Sequence, residues 1–326
     1  MVCGHPDSEN SRMRTASGTE RSVAAPGERR TQWIGTAMIL GSATGFATLA
    51  IFAKLAYRSG LGTEQTLAFR FLLAAAGMWI VAMVIGQNPL RLNRTRLVTL
   101  LALGGLVYTG QALTYFVALR SLPASLVVLI AYIYPSLVVI AGWLFLRRSV
   151  SRWHWVALAA SFIGVAMLVG GARFALSWAL VLAIASPTIY TGYILIGERV
   201  MNSVPAVAAS AVIMSGTALA FCLLASLNHE LALPRNPDGW AVAVGIALFP
   251  TMFAISLFMA GLPRVGAARA ALLSTVEPVI TVLLAVVVLG DRLSVIQVFG
   301  AVLVLVAVIV VQAAHLWKPG LPSALK

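Results

Sequence analysis

The chain has 326 residues, of which 60% are hydrophobic and 10% are charged, and its mean hydropathy is +0.94. Soluble proteins carry about 25% charged residues, so the composition excludes a soluble globular protein. In a soluble protein the net charge of +13 would suggest a nucleic-acid partner, but in a chain this apolar the basic residues are first of all a topology signal. We therefore predict a protein embedded in a lipid bilayer, with no nucleic-acid partner.

The first 32 residues are the polar part of the chain. They are rich in Ser, Thr, Arg and Glu, and they are too long and too polar for the first region of a signal peptide. We expect residues 1–32 to form a disordered polar tail in the cytoplasm. The rest of the chain has room for about ten spans of ~20 apolar residues, which leaves no room for a soluble second domain.

Ten apolar segments follow in chain order. Short breaks with charged residues, glycine or proline separate them, as at Arg147-Arg148 and Gly290-Asp291, which is typical of loops. A second cytoplasmic tail is expected at 317–326. The predicted spans are 33–53, 64–86, 97–119, 124–146, 153–172, 177–197, 204–227, 239–262, 267–289 and 295–316.

The basic residues are unevenly distributed between the two sides of the predicted bundle. When the tails and alternate loops are grouped, one side holds 16 Lys and Arg residues and the other holds six, while Arg70 lies inside span 2. The side with more Lys and Arg faces the cytoplasm in membrane proteins. We therefore predict both termini in the cytoplasm and a location in the cell inner membrane.

The second half of the chain repeats features of the first half at a spacing of 143 residues. Pro135 coincides with Pro278 inside a span, and Ser151 coincides with Ser294 after a charged break. Each half would hold five spans, and because five is odd the two halves must have opposite orientations. Inverted repeats are typical of secondary transporters, in which a site between the halves opens alternately to the two sides. The predicted repeats are 33–172 and 177–316.

Two stretches resemble the EamA-type drug/metabolite transporter superfamily. Residues 272–311 have Glu-Pro in span 9, a Gly and an acidic residue in the turn, and Gln and Gly at the start of span 10. Residues 114–146 are similar to the corresponding stretch of the first half, and the turn acid is Asp291 where the family more often has Glu. Over 33–316 the resemblance implies ten helices that transport small metabolites, with spans 1 to 4 and 6 to 9 around a central cavity. Within the superfamily the chain looks most like bacterial aromatic amino acid exporters.

Polar residues at helical spacing indicate which faces would line such a cavity. Polar side chains in a bilayer tend to face the interior of the bundle, and residues at i, i+3 and i+7 share one face. Spans 1, 3, 6 and 9 have such faces, although small residues also serve simply to pack helices together, as the stripe from Gly41 to Thr48 would. The candidate cavity residues are Thr44, Thr48, Tyr108, Gln111, Tyr115, Tyr134, Ser186, Tyr190, Tyr193, Ser274, Glu277 and Thr281.

Four predicted spans contain a proline near the middle. Each proline removes one backbone donor and frees the carbonyl four residues earlier, which in hydrocarbon has to be satisfied by protein or by a wet cavity. Such prolines are either hinges and ligand contacts or plain kinks of the helix. We favour a functional role for Pro135 and Pro278, because they occupy equivalent positions in the two repeats. The four are Pro135, Pro187, Pro250 and Pro278.

Two ionisable residues lie within the predicted spans. Glu277 is near the centre of span 9, where a carboxylate is costly, and it is either a proton carrier or an acceptor that stabilises the break at Pro278. Arg70 lies nearer the outer end of span 2. It either extends to the membrane surface or lines the cavity, where it would hold a substrate carboxylate or pair with Glu277.

Other classes of function fit the sequence less well. An intramembrane enzyme needs clustered carboxylates with a metal, or a Ser/His/Asp-like constellation, and the predicted spans offer one deep carboxylate and no deep histidine. There is no GxxxxGK[ST] motif for nucleotide phosphates, and Cys3 and Cys222 have no neighbours that would form a redox or zinc motif. We predict no enzyme, no metal and no cofactor.

The sequence therefore predicts an all-α membrane protein that exports small metabolites by alternating access. By the resemblance we expect amino acids with aromatic or apolar side chains, which tyrosines can contact by stacking and by their edges. The alternative substrates are nucleobases or cationic drugs. The sequence is compatible with a monomer and leaves the oligomeric state open. Downhill and proton-coupled transport both remain as alternatives.

Overall fold

The computed structural model describes residues 26–147, 150, 152–170, 177–201 and 204–313. In this part of the chain, helices are connected by short loops and no strand occurs. Ten of the helical segments are long and apolar enough to cross a membrane, which confirms the predicted all-helical fold. Spans 1 to 10 are Arg30–Arg58, Thr63–Val84, Arg94–Ser121, Ala124–Leu146, Arg152–Val169, Trp178–Val200, Ala206–Leu227, Pro237–Val265, Arg269–Leu289 and Val295–Ala313.

Several spans extend beyond their predicted ends. The first helix begins at Pro26, so residues 26–32, which we expected to belong to the disordered tail, are helical. The prediction followed apolar residues alone, whereas helical hydrogen bonds continue through polar residues, and proline is favoured at the first position of a helix. The rest of both predicted tails lies outside the described residues, as do residues 171–176 between spans 5 and 6. A 3-10 turn, Pro89–Arg91, lies between spans 2 and 3.

Ten crossings are an even number, so Arg30 and Ala313 lie on the same side of the bundle. This side is called the terminal side below. The loops between spans 1 and 2, 3 and 4, 7 and 8, and 9 and 10 lie on the opposite side.

Spans 4 and 9 are broken at equivalent places in the repeat. Each break lies three residues before a proline, Pro135 or Pro278, because the proline ring removes a donor and clashes with the carbonyl of the preceding turn. Span 1 is also interrupted, at Thr48. The α-helical segments are Pro26–Ala47 and Leu49–Arg58 in span 1, Ala124–Ala131 and Tyr134–Leu146 in span 4, and Ala267–Ser274 and Val276–Leu284 in span 9, where a π-helical turn, Ala285–Leu289, follows.

Spans 3 and 8 each contain a π-helical turn that is capped by a threonine. The Thr109 hydroxyl donates to the Gly104 carbonyl (2.9 Å), and the Thr251 hydroxyl donates to the Ile246 carbonyl (3.0 Å). Pro250 has no amide hydrogen to donate to the Ile246 carbonyl. The Thr251 hydroxyl replaces this missing donor, so the carbonyl is hydrogen-bonded within the protein. The segments are Arg94–Ala102, Leu103–Tyr108 and Thr109–Ser121 in span 3, and Pro237–Ala247, Leu248–Phe253 and Ala254–Val265 in span 8, the middle one being the π turn in each case.

The helix packing relates the two halves by a two-fold operation. The most extensive contacts join span 5 to span 10, span 2 to span 7, span 1 to span 8 and span 3 to span 6. Exchanging the halves carries the pair 1 and 8 onto the pair 6 and 3, and it returns the other two pairs to themselves. This is the packing expected of inverted five-helix repeats.

Two helix contacts require glycine. Gly104 of span 3 lies so close to the Ile213 carbonyl of span 7 that a Cβ atom would overlap that oxygen. Spans 5 and 10 meet at Gly164 and Gly300, where a Cβ on Gly164 would lie 2.8 Å from the Gly300 carbonyl oxygen. Small residues at such crossings allow the helix backbones to approach within the membrane.

Candidate substrate cavity

A cavity of about 530 Å³ lies between the two repeats. Side chains from spans 1 to 4 and 6 to 9 line it, together with Gln312 near the end of span 10. The volume is in the range of small-molecule pockets, about 300–1,000 Å³. The predicted residues found in its wall are Arg70, Tyr108, Gln111, Tyr115, Tyr134, Ser186, Pro187, Tyr190, Tyr193, Ser274, Glu277 and Thr281.

Tyrosines form one continuous wall of the cavity. Six of the seven tyrosines in the chain line it. The ring centroids of Tyr108 and Tyr193 are 5.0 Å apart, and those of Tyr193 and Tyr190 are 5.7 Å apart in a stacked arrangement. The rings of Tyr134 and Tyr190 meet in a T-shaped arrangement with centroids 5.0 Å apart, and the Tyr132 centroid lies 6.0 Å from that of Tyr134. Such a wall can contact flat or apolar groups and also offers phenol hydroxyls.

Hydrogen bonds hold the polar faces toward the cavity. The Gln111 side-chain amide donates to the Ser186 hydroxyl (3.1 Å), which in turn donates to the Gln111 backbone carbonyl (3.3 Å). The Thr281 hydroxyl lies 3.2 Å from the Ala47 carbonyl. Each of these contacts joins spans from different repeats, so the wall of the cavity is also part of the interface between the two repeats.

Arg70 is buried beside the cavity and does not extend to the membrane surface, since its side chain is 4% exposed. Its Nε atom donates to the Thr251 hydroxyl oxygen (3.0 Å). The guanidinium carbon lies 4.6 Å from the centroid of the Phe71 ring and 5.8 Å from that of Phe116. Within the described residues it forms no ion pair, with Glu277 or with any other carboxylate.

Glu277 lies in the first turn of the second half of span 9. The positive end of the helix dipole is at this position and favours a carboxylate. The Tyr132 hydroxyl is its hydrogen-bond partner. In the described part of the chain no group of three or more His, Cys, Asp or Glu side chains is placed to hold a metal ion.

Span 1 does not line the cavity with the two threonines that we predicted. Thr44 is exposed on the outside of the bundle and donates to the Leu40 carbonyl (2.9 Å), while Thr48 donates to the Gly45 carbonyl (2.7 Å). The small-residue stripe packs against span 8 instead, where a Cβ on Gly45 would lie 3.0 Å from the Ala254 side chain. Packing, which the sequence left open as the alternative, is therefore the role of this stripe.

Three of the four mid-span prolines lie behind the wall of the cavity. Pro135, Pro250 and Pro278 are buried, and they shape the cavity through the helix breaks and the π-helical turn beside them. Pro187 lines the cavity within the continuous helix Trp178–Met201. The predicted prolines therefore differ in position, and one of the four is placed to contact a ligand.

Several wall residues were missed by the sequence-based prediction. Phe46, Met214 and Phe258 are apolar residues in apolar spans, so nothing in the sequence distinguishes them from residues that face lipid. Tyr132 and Gln312 are polar residues within spans and could have been found by the same burial argument as the other tyrosines. The Gln312 side-chain oxygen is buried without a hydrogen-bond partner among the described residues.

The cavity extends toward the terminal side of the bundle. Ser210, Ala271 and Gln312, which belong to the terminal ends of their spans, are part of its wall. On the opposite side, the Tyr57 hydroxyl donates to the Phe116 carbonyl (2.8 Å). The wall of the cavity thus reaches the terminal ends of spans 7, 9 and 10.

The cavity geometry predicts the accessibility of single cysteines in a background with Cys3 and Cys222 replaced by serine. Tyr108→Cys and Gln111→Cys should react with a water-borne thiol reagent applied from the terminal side, because both positions line the cavity. Leu126→Cys is the matched control, since this residue is 1% exposed and packed in the core. Equal labelling rates at positions 108 and 126 would contradict a water-accessible cavity.

The sequence profile of the EamA-like transporter family matches the chain twice, at residues 33–170 and 177–312. The chain belongs to this family. The two matches cover most of the chain, and each contains five of the observed spans. This EamA-like transporter is therefore a multi-pass membrane transporter that consists of two copies of one unit in opposite orientations.

Several curated relatives are similar to this EamA-like transporter over most of their length. The uncharacterized transporter YcbK of Bacillus subtilis is 24% identical over 277 residues, which cover 82% of this chain and 88% of YcbK. The uncharacterized transporter YwfM of the same organism is 28% identical, covering 76% and 83%. The uncharacterized transporter sll1319 of Synechocystis is 25% identical, covering 73% and 78%.

A crystal structure of another protein has a similar fold. It superposes with a TM-score of 0.61 and covers 89% of this chain and 99% of that chain at 22% sequence identity. At this level of identity the similarity shows the fold alone.

Proposed function

We propose that this EamA-like transporter is a secondary transporter of the inner membrane that exports amino acids with aromatic or apolar side chains. The observation that supports this function best is the tyrosine-walled cavity between the two repeats. Inverted repeats around a single site can expose it to each side in turn. The rings of Tyr108, Tyr190 and Tyr193 offer stacking and edge contacts for an apolar side chain.

The export direction follows from the resemblance to amino acid exporters and from the proposed orientation. The sequence-based grouping of tails and alternate loops predicts 16 Lys and Arg residues on the side of the termini and six on the other, which favours a cytoplasmic terminal side. In this orientation the cavity extends toward the cytoplasm, the side from which an exporter takes up its substrate.

A reporter fused after Lys326 tests this orientation. A fluorescent protein at this position should be folded and bright, and alkaline phosphatase should be inactive, because the charge asymmetry favours a cytoplasmic terminus. Fusion of the same reporters within the loop at 228–236 is the control, where the opposite pattern is expected. Active phosphatase after Lys326 would reverse the orientation.

Nucleobases are the second candidate class, since they also stack on tyrosine rings. Cationic drugs fit less well, because Arg70 places a positive charge in the wall of the cavity. Both classes belong in the test of the proposed function.

Uptake into liposomes that contain the purified protein tests the proposed substrate class. The panel consists of L-phenylalanine, L-tryptophan, L-leucine, adenine and ethidium, with protein-free liposomes as the control. We expect saturable flux of the amino acids, and above all of the aromatic ones. Saturable flux of adenine or ethidium with none of the amino acids would contradict the proposal.

A further inference from the structure

We infer that Arg70 and Glu277 are the two charged anchors for a zwitterionic substrate, with Arg70 binding its carboxylate and Glu277 its ammonium group. The inference rests on the proposed function, because it names the residues that recognise an amino acid in the cavity. Among the described residues that line the cavity, these two are the charged ones.

Arg70 carries a positive charge that its surroundings do not neutralise. The Thr251 hydroxyl donates its own proton to the Ile246 carbonyl, so its oxygen faces the Arg70 Nε atom as a neutral acceptor. The other neighbours of the guanidinium are the Tyr108 hydroxyl, with which the side chain shares a hydrogen bond, and the rings of Phe71 and Phe116, none of which is a carboxylate. An arginine in a protein stays charged, and a buried charge without a partner is costly. A carboxylate in the cavity can remove this cost through a bidentate pair with the two terminal nitrogens.

Glu277 is placed to accept a hydrogen bond from an ammonium group. One hydrogen bond comes from the Tyr132 hydroxyl, and an ionised carboxylate has about four acceptor positions on its two oxygens. The carboxylate therefore keeps acceptor positions for a ligand in the cavity that it lines. Because Arg70 does not occupy them, both charges are available at once.

The repeat gives an independent reason to assign these charges to the substrate. The equivalents of Arg70 and Glu277 at the 143-residue spacing are Ile213 and Tyr134. Both equivalents line the same cavity, and neither is charged. The fold of the repeat therefore does not require a charge at either position. One cation and one anion in a single cavity match one zwitterion, whereas a purely cationic ligand would leave Arg70 unpaired.

The test compares three probes that differ in their charged groups, using ligand-induced thermal stabilisation of the purified protein. The probes are L-phenylalanine, L-phenylalaninamide, which lacks the carboxylate, and N-acetyl-L-phenylalanine, which lacks the ammonium group. In the wild-type protein each modified probe should bind about 10- to 100-fold more weakly than L-phenylalanine, which is the effect of losing one hydrogen-bonded charge contact.

Arg70→Gln should remove the preference for the acid over the amide and keep the preference for the free amine over the acetylated amine. Glu277→Gln should have the converse effect. Arg120→Gln is the matched control, because it also removes one cation but from an exposed position outside the cavity, over the Tyr57 ring, and it should leave both preferences unchanged.

The possible outcomes separate the inference from the proposed function. If no amino acid probe stabilises the wild-type protein, the proposed function and the inference both fail. If L-phenylalanine binds but Arg70→Gln keeps the wild-type ratio of acid to amide, the inference alone fails. Should Arg70→Gln not fold, Arg70→Lys replaces it, and its ratio should lie between one and the wild-type value because lysine keeps the charge without the bidentate geometry. An unchanged ratio in Arg70→Lys would contradict the assignment.

Discussion

Ser274→Trp should lower substrate flux by at least about tenfold, equivalent to about 1.4 kcal/mol, while the protein still folds. Ser274 lines the cavity on span 9, and its hydroxyl bonds the Ala270 carbonyl of its own helix (2.9 Å). Its replacement therefore breaks no side-chain hydrogen bond between spans among the described residues. The indole would occupy the space in which we place the substrate. Flux per purified molecule in liposomes is the measurement.

Leu283→Trp is the control for this substitution. Leu283 is on the same span and is 59% exposed toward the membrane, so a large aromatic ring there should leave flux close to the wild-type value. Equal flux in Ser274→Trp and in the wild-type protein would show that the substrate does not pass through this cavity.

Gly104→Ala should destabilise the protein by about 1–3 kcal/mol, the usual cost of overpacking a well-packed site. The new Cβ would overlap the Ile213 carbonyl oxygen of span 7. The Gly104 carbonyl also accepts hydrogen bonds from the Thr109 and Thr217 hydroxyls (2.9 and 3.0 Å), so the helices cannot separate without straining these bonds. The thermal unfolding midpoint in detergent is the measurement.

Gly110→Ala provides the comparison within the same span. A Cβ at this position would meet nothing within 4 Å, and alanine is a better helix former than glycine by about 0.5–1 kcal/mol. We therefore expect Gly110→Ala to be neutral or slightly stabilising. Similar midpoints for the Gly104 and Gly110 variants would mean that the close approach of spans 3 and 7 does not contribute to stability.

The spans and the tyrosine wall could be predicted because their signals are strong. Runs of about 20 apolar residues have few other uses, and the positions of Tyr108, Gln111 and Tyr115 at i, i+3 and i+7 put them on one helix face whatever lies next to it. The π-helical turn of span 3 ends at Tyr108, so regular α-helix follows and this spacing holds.

The role of span 1 could not be predicted because its signal is ambiguous. Glycine and threonine serve equally to pack helices and to line a cavity, so the stripe that contains Thr44 had two explanations. The break at Thr48 changes the face that the following residues present, and no proline indicates it. Leu49 and Ala50, just after this break, line the cavity.

The contact of Arg70 with Thr251 is another feature that the sequence did not reveal. It depends on which spans are neighbours, and on a π-helical turn that displaces the residues of span 8 relative to a regular α-helix. The helical periodicity of a sequence shows which residues share a face of one span, but it does not show that spans 2 and 8 are neighbours. The sequence left the membrane surface and the cavity as alternatives for Arg70, and both its position at the cavity and its Thr251 partner required the structure.

Counterflow in liposomes tests most directly whether the cavity between the repeats is the site of alternating access. Liposomes that contain the purified protein are loaded with unlabelled L-phenylalanine and diluted into a trace of labelled L-phenylalanine. Alternating access predicts a transient accumulation of label above equilibrium, which is absent in protein-free liposomes and strongly reduced by Ser274→Trp. Entry of label only to equilibrium, at a rate that rises linearly with concentration, would contradict the account and indicate a channel.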